Sequence, residues 1–187
     1  MKPLEGMKVA VLVANGFEEK SFLKAQKMMI DMGATMRLIS TNQGLVNGWD
    51  DNAWGHNYAI DAQLNTALGV DYNALIIPGG ARSLDKLKLT AHTRRFVSSF
   101  MAAQKPVAVM GDAIAMMANI EQIMDFTVAG PAASQSDVER SGAHWSEEVV
   151  TIDRNILSGD VEADEDAYFA AMQELFTSMN ADMEQAA

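Results

Sequence analysis

Residues 105–113, KPVAVMGDA, constrain the fold of this chain more than any other segment. Residues 107–110 are apolar without polar alternation, which is typical of a parallel strand covered on both faces. Gly111 and Asp112 follow this strand directly, and helix-forming residues come next. The segment therefore predicts a buried strand that turns sharply into a helix. In α/β hydrolase-like folds, this kind of turn holds the nucleophile.

The first forty residues predict a β-α-β unit. Strands at 7–13 and 35–40 flank a helix at 17–32, and Gly33 lies just past the helix end as a C′ residue. Such units are parallel and right-handed. The residues expected on one stripe of this helix are Phe22, Leu23, Gln26 and Ile30.

The rest of the chain continues the alternation of strands and helices. Residues 44–60 predict a hairpin or meander that covers one edge of the sheet, and the polar tail at 180–187 is expected to fray. The pattern predicts one doubly wound α/β domain over residues 1–187, with a mostly parallel, flavodoxin-like sheet, helices on both faces and a small antiparallel edge hairpin. Further strands are predicted at 72–77, 105–110, 126–129, 143–145, 149–152 and 156–159, and further helices at 83–100 with a break near residue 90, at 112–119 and at 165–179.

Composition excludes several classes of function. The formal net charge of −11 disfavours nucleic acid and anionic membrane as partners, because both need a basic surface. The absence of cysteine removes disulfides, thiolate nucleophiles and cysteine-ligated metal. The three histidines have no metal-ligand spacing, and no metal is expected. No apolar run approaches the roughly 20 residues that span a bilayer, and a cytoplasmic location is expected.

Glycines and acidic residues follow three of the predicted strands, at residues 15–19, 78–81 and 111–113. Sites in open α/β sheets form at the carboxyl ends of strands, where glycine lets backbone N–H groups approach a ligand. Each segment also has a purely structural interpretation. Residues 78–80 would make a tight turn, Glu18 and Glu19 would favour the positive end of a helix dipole, and Asp112 would be an N-cap.

Taken in order, five segments resemble the ThiJ/PfpI superfamily, a branch of the class I glutamine amidotransferase-like fold. The resemblance extends from about residue 7 to residue 176. Each segment is weak alone, but the correct order of all five is specific for the fold. The segments are residues 7–13 with 15–19, residues 71–80, residues 105–110, residues 142–150 and residues 155–159.

The resemblance implies a site that has lost its reactive groups. Family members described as proteases, amidases, deglycases, glyoxalase-like hydratases or chaperones carry an Ala-Ile-Cys-His-Gly elbow. The cysteine position falls on Gly111, the histidine on Asp112, and the supporting acid on Ser21. Glu18 is retained, as is the loop at 78–80, which offers oxyanion-hole amides in the family. The Gly-Asp-Ala turn is more similar to the C-terminal domain of large-subunit catalases, which lacks the nucleophile.

Two functions remain open at this point. The first is a non-catalytic binding, regulatory or stress-related module. It would have no cofactor and no catalytic residues, and it would bind a small-molecule ligand. The second is a hydrolase of the protease/amidase or glyoxalase/deglycase type, in which Asp112 and Glu18 serve as acid and base. The family also implies a homo-oligomer, most simply a dimer, and residues 49–54 are expected either at its interface or over the core. The expected ligand-binding residues are Glu18, Gly79, Gly80, Gly111 and Asp112, with Ser21 as a vestige of the family pocket.

One expectation concerns the backbone at the elbow. A non-glycine nucleophile on such a turn is held under strain of about 1–3 kcal/mol. Gly111 relieves most of that strain. A relaxed, negative φ at Gly111 would mean that the elbow geometry itself has been lost.

Overall fold

The computed structural model describes all residues from 1 to 187. Strands alternate with helices along most of the chain, and short 3₁₀ turns occur at Gly69–Asp71 and Ala132–Ser134. The elements in chain order are β1 (Lys8–Val13), β2 (Phe17–Glu18), α1 (Glu19–Asp31), β3 (Thr35–Ser40), β4 (Leu45–Asp50), β5 (Ala53–Ala59), β6 (Ala62–Gln63), β7 (Ala74–Ile77), α2 (Ala81–Leu87), α3 (Ala91–Ala102), β8 (Val107–Met110), α4 (Ala113–Asn119), β9 (Thr127–Val128), α5 (Gln135–Arg140), β10 (His144–Trp145), β11 (Val150–Asp153), β12 (Ile156–Gly159) and α6 (Glu165–Ala186).

The central sheet confirms the predicted fold class. Its seven strands lie in the order β11-β12-β8-β7-β1-β3-β6, and every pair is parallel except β11 with β12. The chain moves outward from β1 to β3 and β6, then returns to the other side of β1 with β7 and β8. The strand order therefore reverses between β1 and β7. In open α/β sheets, a ligand crevice forms beyond the carboxyl ends of the strands at this point.

Apolar residues cover both faces of the sheet. One core cluster contains 26 buried residues and the other contains 24, so neither face is left to solvent. The central strands β1, β7 and β8 consist almost wholly of buried apolar residues, as expected for parallel strands covered on both sides. The sheet is therefore a rigid base for the loops at its carboxyl edge.

The predicted start of the first helix and most of its predicted buried face were wrong, whereas its end beside Gly33 was predicted correctly. Phe17 and Glu18 form β2, which pairs with β4, and the helix begins only at Glu19. Leu23 and Ile30 are 40% and 52% exposed. Phe22 is buried as predicted, but the other predicted residues lie one position from the buried ones, because apolar side chains occur on both sides of this helix. The residues that the helix buries in the core are Phe22, Ala25 and Met29.

The hairpin predicted at 44–60 is present as β4 and β5, but it does not extend the central sheet. It joins β2 in a separate three-stranded sheet. The pairing with β2 places the hairpin across the start of α1, where the side chain of Glu19 is only 3% exposed. The Glu19 carboxylate accepts hydrogen bonds from the His56 N–H at 3.0 Å and from the Tyr58 hydroxyl, and it contacts His56 Nδ1 at 2.7 Å.

The hairpin is shaped around this buried carboxylate. A Cβ atom at Gly55 would overlap the Glu19 carboxylate, so glycine is needed for the close approach. Burial acts to raise the pKa of Glu19, but the hydrogen bonds from Tyr58 and His56 outweigh it and hold this pKa below its ordinary value. Burial and the hydrogen bond to Glu19 raise the pKa of Tyr58. The ionised carboxylate therefore fastens the hairpin to α1.

The C-terminal helix is longer than the sequence predicted. The structure continues α6 to Ala186, whereas the pattern predicted an end at residue 179 and a frayed tail. Asn180 Nδ2 donates to the Pro3 carbonyl at 3.1 Å, which ties this last part of the helix to the N-terminal segment. No helix combines the length and the apolar character needed to cross a membrane.

Candidate functional site

The turn between β8 and α4 keeps the elbow geometry. Gly111 has a φ of +54°, so the relaxed, negative value that would have marked its loss is not found. No heavy atom lies within 4 Å of the place that a Cβ would occupy. A side chain would fit there, but an L-residue in this left-handed region costs roughly 1–2 kcal/mol. Glycine is favoured at this position by the backbone, not by lack of space.

Asp112 occupies the N-cap position of α4, but its side chain does not cap the helix. Its backbone already has helical angles, φ −67° and ψ −7°, and its carboxylate makes no capping hydrogen bond. Asp112 Oδ1 instead accepts a hydrogen bond from the Gly80 N–H at 3.0 Å. The expectation of a capping Asp112 was therefore wrong for the side chain, which bridges to the loop after β7.

Glu18 is the N-cap of α1. Its carboxylate accepts from the Ser21 N–H at 3.0 Å and from the Ser21 hydroxyl. The interpretation of Glu18 as a helix opener is confirmed. Ser21, at the position of the family's supporting acid, is buried and holds Glu18 in one orientation. The two bonds hold the Glu18 carboxylate against the first turn of α1.

The structure brings all the predicted site residues to one cavity of about 300 Å³, which we call the elbow pocket. It lies beyond the carboxyl ends of β1, β7, β8 and β12, beside the point where the strand order reverses. This is where the fold is expected to bind a ligand. The predicted residues that line it are Glu18, Ser21, Gly79, Gly80, Gly111 and Asp112.

Sequence reasoning missed two further acids in this pocket. Asp160 and Glu162 line it from the loop after β12. The position of that loop was the available signal, since β12 was predicted correctly and its carboxyl end lies at the same edge as the others. Together with Glu18 and Asp112, they give the pocket lining four acidic residues and no basic residue. None of the four has a basic side chain within ion-pair distance.

The charge distribution of the pocket differs from that of a site for an anionic intermediate. In an elbow of this type, an oxyanion hole uses the N–H of the residue after the nucleophile and an N–H from a nearby loop. By this rule the first donor would be the Asp112 N–H, and the resemblance assigns the second to the loop at 78–80. The Gly80 N–H already donates to the Asp112 carboxylate. An oxyanion formed here would lie near the Asp112 carboxylate, which repels it, and would find the Gly80 N–H already engaged.

The protein is a doubly wound α/β protein with an elbow turn. The turn has a positive φ, follows a central strand and lies beside a glycine-rich loop. The comparisons identify the family. The chain belongs to the DJ-1/PfpI family, because the sequence model of that family matches residues 7–174. Membership of this family is shown, but a specific relationship to the C-terminal domain of catalases is not.

Two curated relatives come from Bacillus subtilis. General stress protein 18 is 26% identical over 148 residues, which are 79% of this chain and 84% of the relative. The relative named "Putative cysteine protease YraA" is 25% identical over 162 residues, 86% of this chain and 93% of the relative.

Solved structures show the same fold. A ThiJ/PfpI domain protein from Brachyspira murdochii superposes with a TM-score of 0.81 at 21% identity, over 93% of this chain and 98% of that one. A two-domain protein from Anabaena variabilis, with a DJ-1/ThiJ/PfpI-like and a ferritin-like domain, gives 0.83 at 20% identity over 93% of this chain. This chain spans about half of that protein, 48% of its length.

Proposed function

We propose that this DJ-1/PfpI family member is a non-catalytic protein that binds a small, positively charged molecule in the elbow pocket. The hydrogen bond from the Gly80 N–H to the Asp112 carboxylate carries the proposal. It fills an oxyanion-hole position with a fixed negative charge, next to an elbow where Gly111 has no side chain to attack a substrate. The chain has no cysteine elsewhere to replace it.

The lining of the pocket favours a cation. Four acidic residues line a cavity of about 300 Å³, and the lining contains no lysine, arginine or histidine. Opposite charges attract more strongly in a partly enclosed site than in bulk water. No three His, Asp or Glu side chains of the protein form a group that could hold a metal ion. An organic ammonium or guanidinium group, which can donate hydrogen bonds to carboxylates in several directions, suits this arrangement better than a divalent ion.

Similarity supports the same interpretation. The Gly-Asp-Ala turn resembles that of the C-terminal domain of large-subunit catalases, which has the fold without the nucleophile. One relative is named "General stress protein 18" and another "Putative cysteine protease YraA". Because this chain has no cysteine, a cysteine-protease activity does not fit its residues.

The test is a calorimetric titration with n-butylamine hydrochloride, and with 1-butanol as the uncharged probe of similar size. We expect the amine to bind and the alcohol not to bind. Asp112→Asn keeps an acceptor for the Gly80 N–H but removes the charge, and it should weaken amine binding about tenfold. Glu174→Gln is the matched control, because this exposed acid lies on α6 outside the pocket lining. Equal binding by wild type and Asp112→Asn would contradict the proposal.

A carboxylate-based hydrolase is the second candidate, because Glu18 and Asp112 line the same pocket. Against it, each carboxylate already accepts a backbone N–H, from Ser21 and from Gly80 respectively. These bonds occupy Oε2 of Glu18 and Oδ1 of Asp112, so only the other oxygen of each carboxylate is free for proton transfer. Turnover of an amide or a 2-oxoaldehyde, lost in both Glu18→Gln and Asp112→Ala, would favour this candidate over binding alone.

A further inference from the structure

A row of three side chains leads away from the elbow pocket across the small sheet. Glu18 on β2 is directly opposite Trp49 on β4, and Trp49 is directly opposite Trp54 on β5. Residues directly opposite each other in a sheet project from the same face. With strands about 4.8 Å apart, this row of Glu18, Trp49 and Trp54 spans about 10 Å between its end Cα atoms. Its first member lines the pocket.

The opposite face of the same sheet is occupied by Glu19, which contacts Gly48 and Gly55. The two tryptophans therefore face away from α1. Arg82, two residues beyond Gly80 of the pocket, places its guanidinium 3.8 Å from the ring centre of Trp49. This contact places the Trp49 ring against α2, the helix that follows the pocket loop.

The outer tryptophan is open to solvent, whereas the inner one is supported. The two rings stand at 87° with their centres 5.2 Å apart, and the Trp49 Nε1 donates to the Asp51 carbonyl at 2.8 Å. Trp49 is thus held by Trp54, Arg82 and a hydrogen bond. Trp54 is 54% exposed, and no residue beyond Trp49 makes an aromatic or cation–π contact with it. Trp54 is outside the pocket lining, at the far end of a row that begins at the pocket, and exposed tryptophan surface of this kind is typical of recognition surfaces.

We propose that the molecule bound in the elbow pocket carries an aromatic ring beside its positive charge, and that the ring stacks on Trp54, which Trp49 holds in place. This inference rests on the proposed function. The pocket carboxylates bind the ammonium or guanidinium end, and the row from Glu18 to Trp54 gives the direction in which the rest of the molecule extends. The ligand class is therefore an aromatic amine or guanidine whose charge and ring are separated by a short chain.

The experiment compares two amines by calorimetric titration. 4-Phenylbutylamine and 4-cyclohexylbutylamine have the same charge, the same chain and a similar bulk, but only the first has an aromatic face. We expect wild-type protein to bind the phenyl compound about three- to tenfold more tightly. Trp54→Ala should remove this preference and Trp54→Phe should keep part of it. Trp145→Phe, which changes a tryptophan on β10, should leave it unchanged.

The outcomes separate the inference from the proposed function. If both amines bind but the preference is absent, or survives in Trp54→Ala, the aromatic subsite is wrong and the cation pocket stands. If neither amine binds, the proposed function fails and the inference fails with it. Far-ultraviolet circular dichroism of Trp54→Ala shows whether the hairpin is intact, and Trp54→Phe supplies the same comparison if it is not.

Discussion

Asp112 Oδ1 lies 3.0 Å from the backbone nitrogen of Gly80 and accepts its hydrogen bond. One carboxylate therefore joins the loop after β7 to the turn after β8, at the edge where open α/β sheets form ligand crevices. The bond has two consequences. It holds two segments of the pocket lining together. It also places a permanent negative charge where a catalytic relative would stabilise the charge of a reaction intermediate.

Replacing Asp112 should separate these two consequences. Asp112→Ala leaves the Gly80 N–H without its acceptor, and we expect it to lower the free energy of unfolding by about 1 kcal/mol, since the site is partly exposed to water. Asp112→Asn retains an acceptor oxygen and should change stability by less than about half of that. Urea unfolding measures both variants. Equal losses would show that the charge, and not the hydrogen bond, stabilises the turn.

Two glycine substitutions should differ in cost for a reason visible in the structure. Gly111→Ala meets no neighbour within 4 Å and should lose only about 1 kcal/mol to backbone strain. Gly55→Ala would push its Cβ into the buried Glu19 carboxylate and should lose more, about 2–3 kcal/mol. Thermal unfolding of the two proteins gives the order. A larger loss for Gly111→Ala would contradict the geometry given for both positions.

Glu19 should make the protein more stable at neutral than at acidic pH. Its pKa is lowered in the folded state, so the stabilisation is fully present above the ordinary value of 4.5 and is lost as the pH falls through the lower folded value. We expect Glu19→Gln to cost about 2–3 kcal/mol at pH 7 and progressively less below pH 4.5. Urea unfolding at several pH values tests this, with Glu174→Gln as control. A difference that does not depend on pH would contradict it.

A cysteine introduced at the elbow should report the charge beside it. Gly111→Cys places a thiol next to the Asp112 carboxylate, which disfavours the thiolate. Alkylation by iodoacetamide at pH 7 should therefore be about three- to tenfold slower in Gly111→Cys than in the double variant with Asp112→Asn. The chain has no other cysteine, so the modified mass is unambiguous. Identical rates would mean that the carboxylate does not influence this position.

The apolar pattern was sufficient for the central sheet. The runs in β1, β7 and β8 predict buried parallel strands, and the glycines after them predict where the loops converge. The same pattern could not locate β2, because a two-residue strand has no period and depends on β4, some thirty residues later. Nor could it choose the buried face of α1, where Leu23 and Phe22 are equally apolar.

The candidate site was partly visible for the same reason. Residues that follow strands converge because the strands are parallel, so Glu18, Gly80 and Gly111 could be grouped before any coordinates. The direction of a side chain could not be predicted in this way. Asp112 suits an N-cap by residue type, and only the helical backbone at that position turns its carboxylate to Gly80. Asp160 was missed although it follows a predicted strand.

The most direct test of the account is a turnover assay of the pure protein with methylglyoxal and a set of peptide amides, run beside Asp112→Ala. A pocket that binds and does not react should give no rate above that of buffer for either protein, while n-butylamine still binds to the wild type. A rate with the wild type that disappears in Asp112→Ala would contradict the account, because it would make Asp112 part of an active centre.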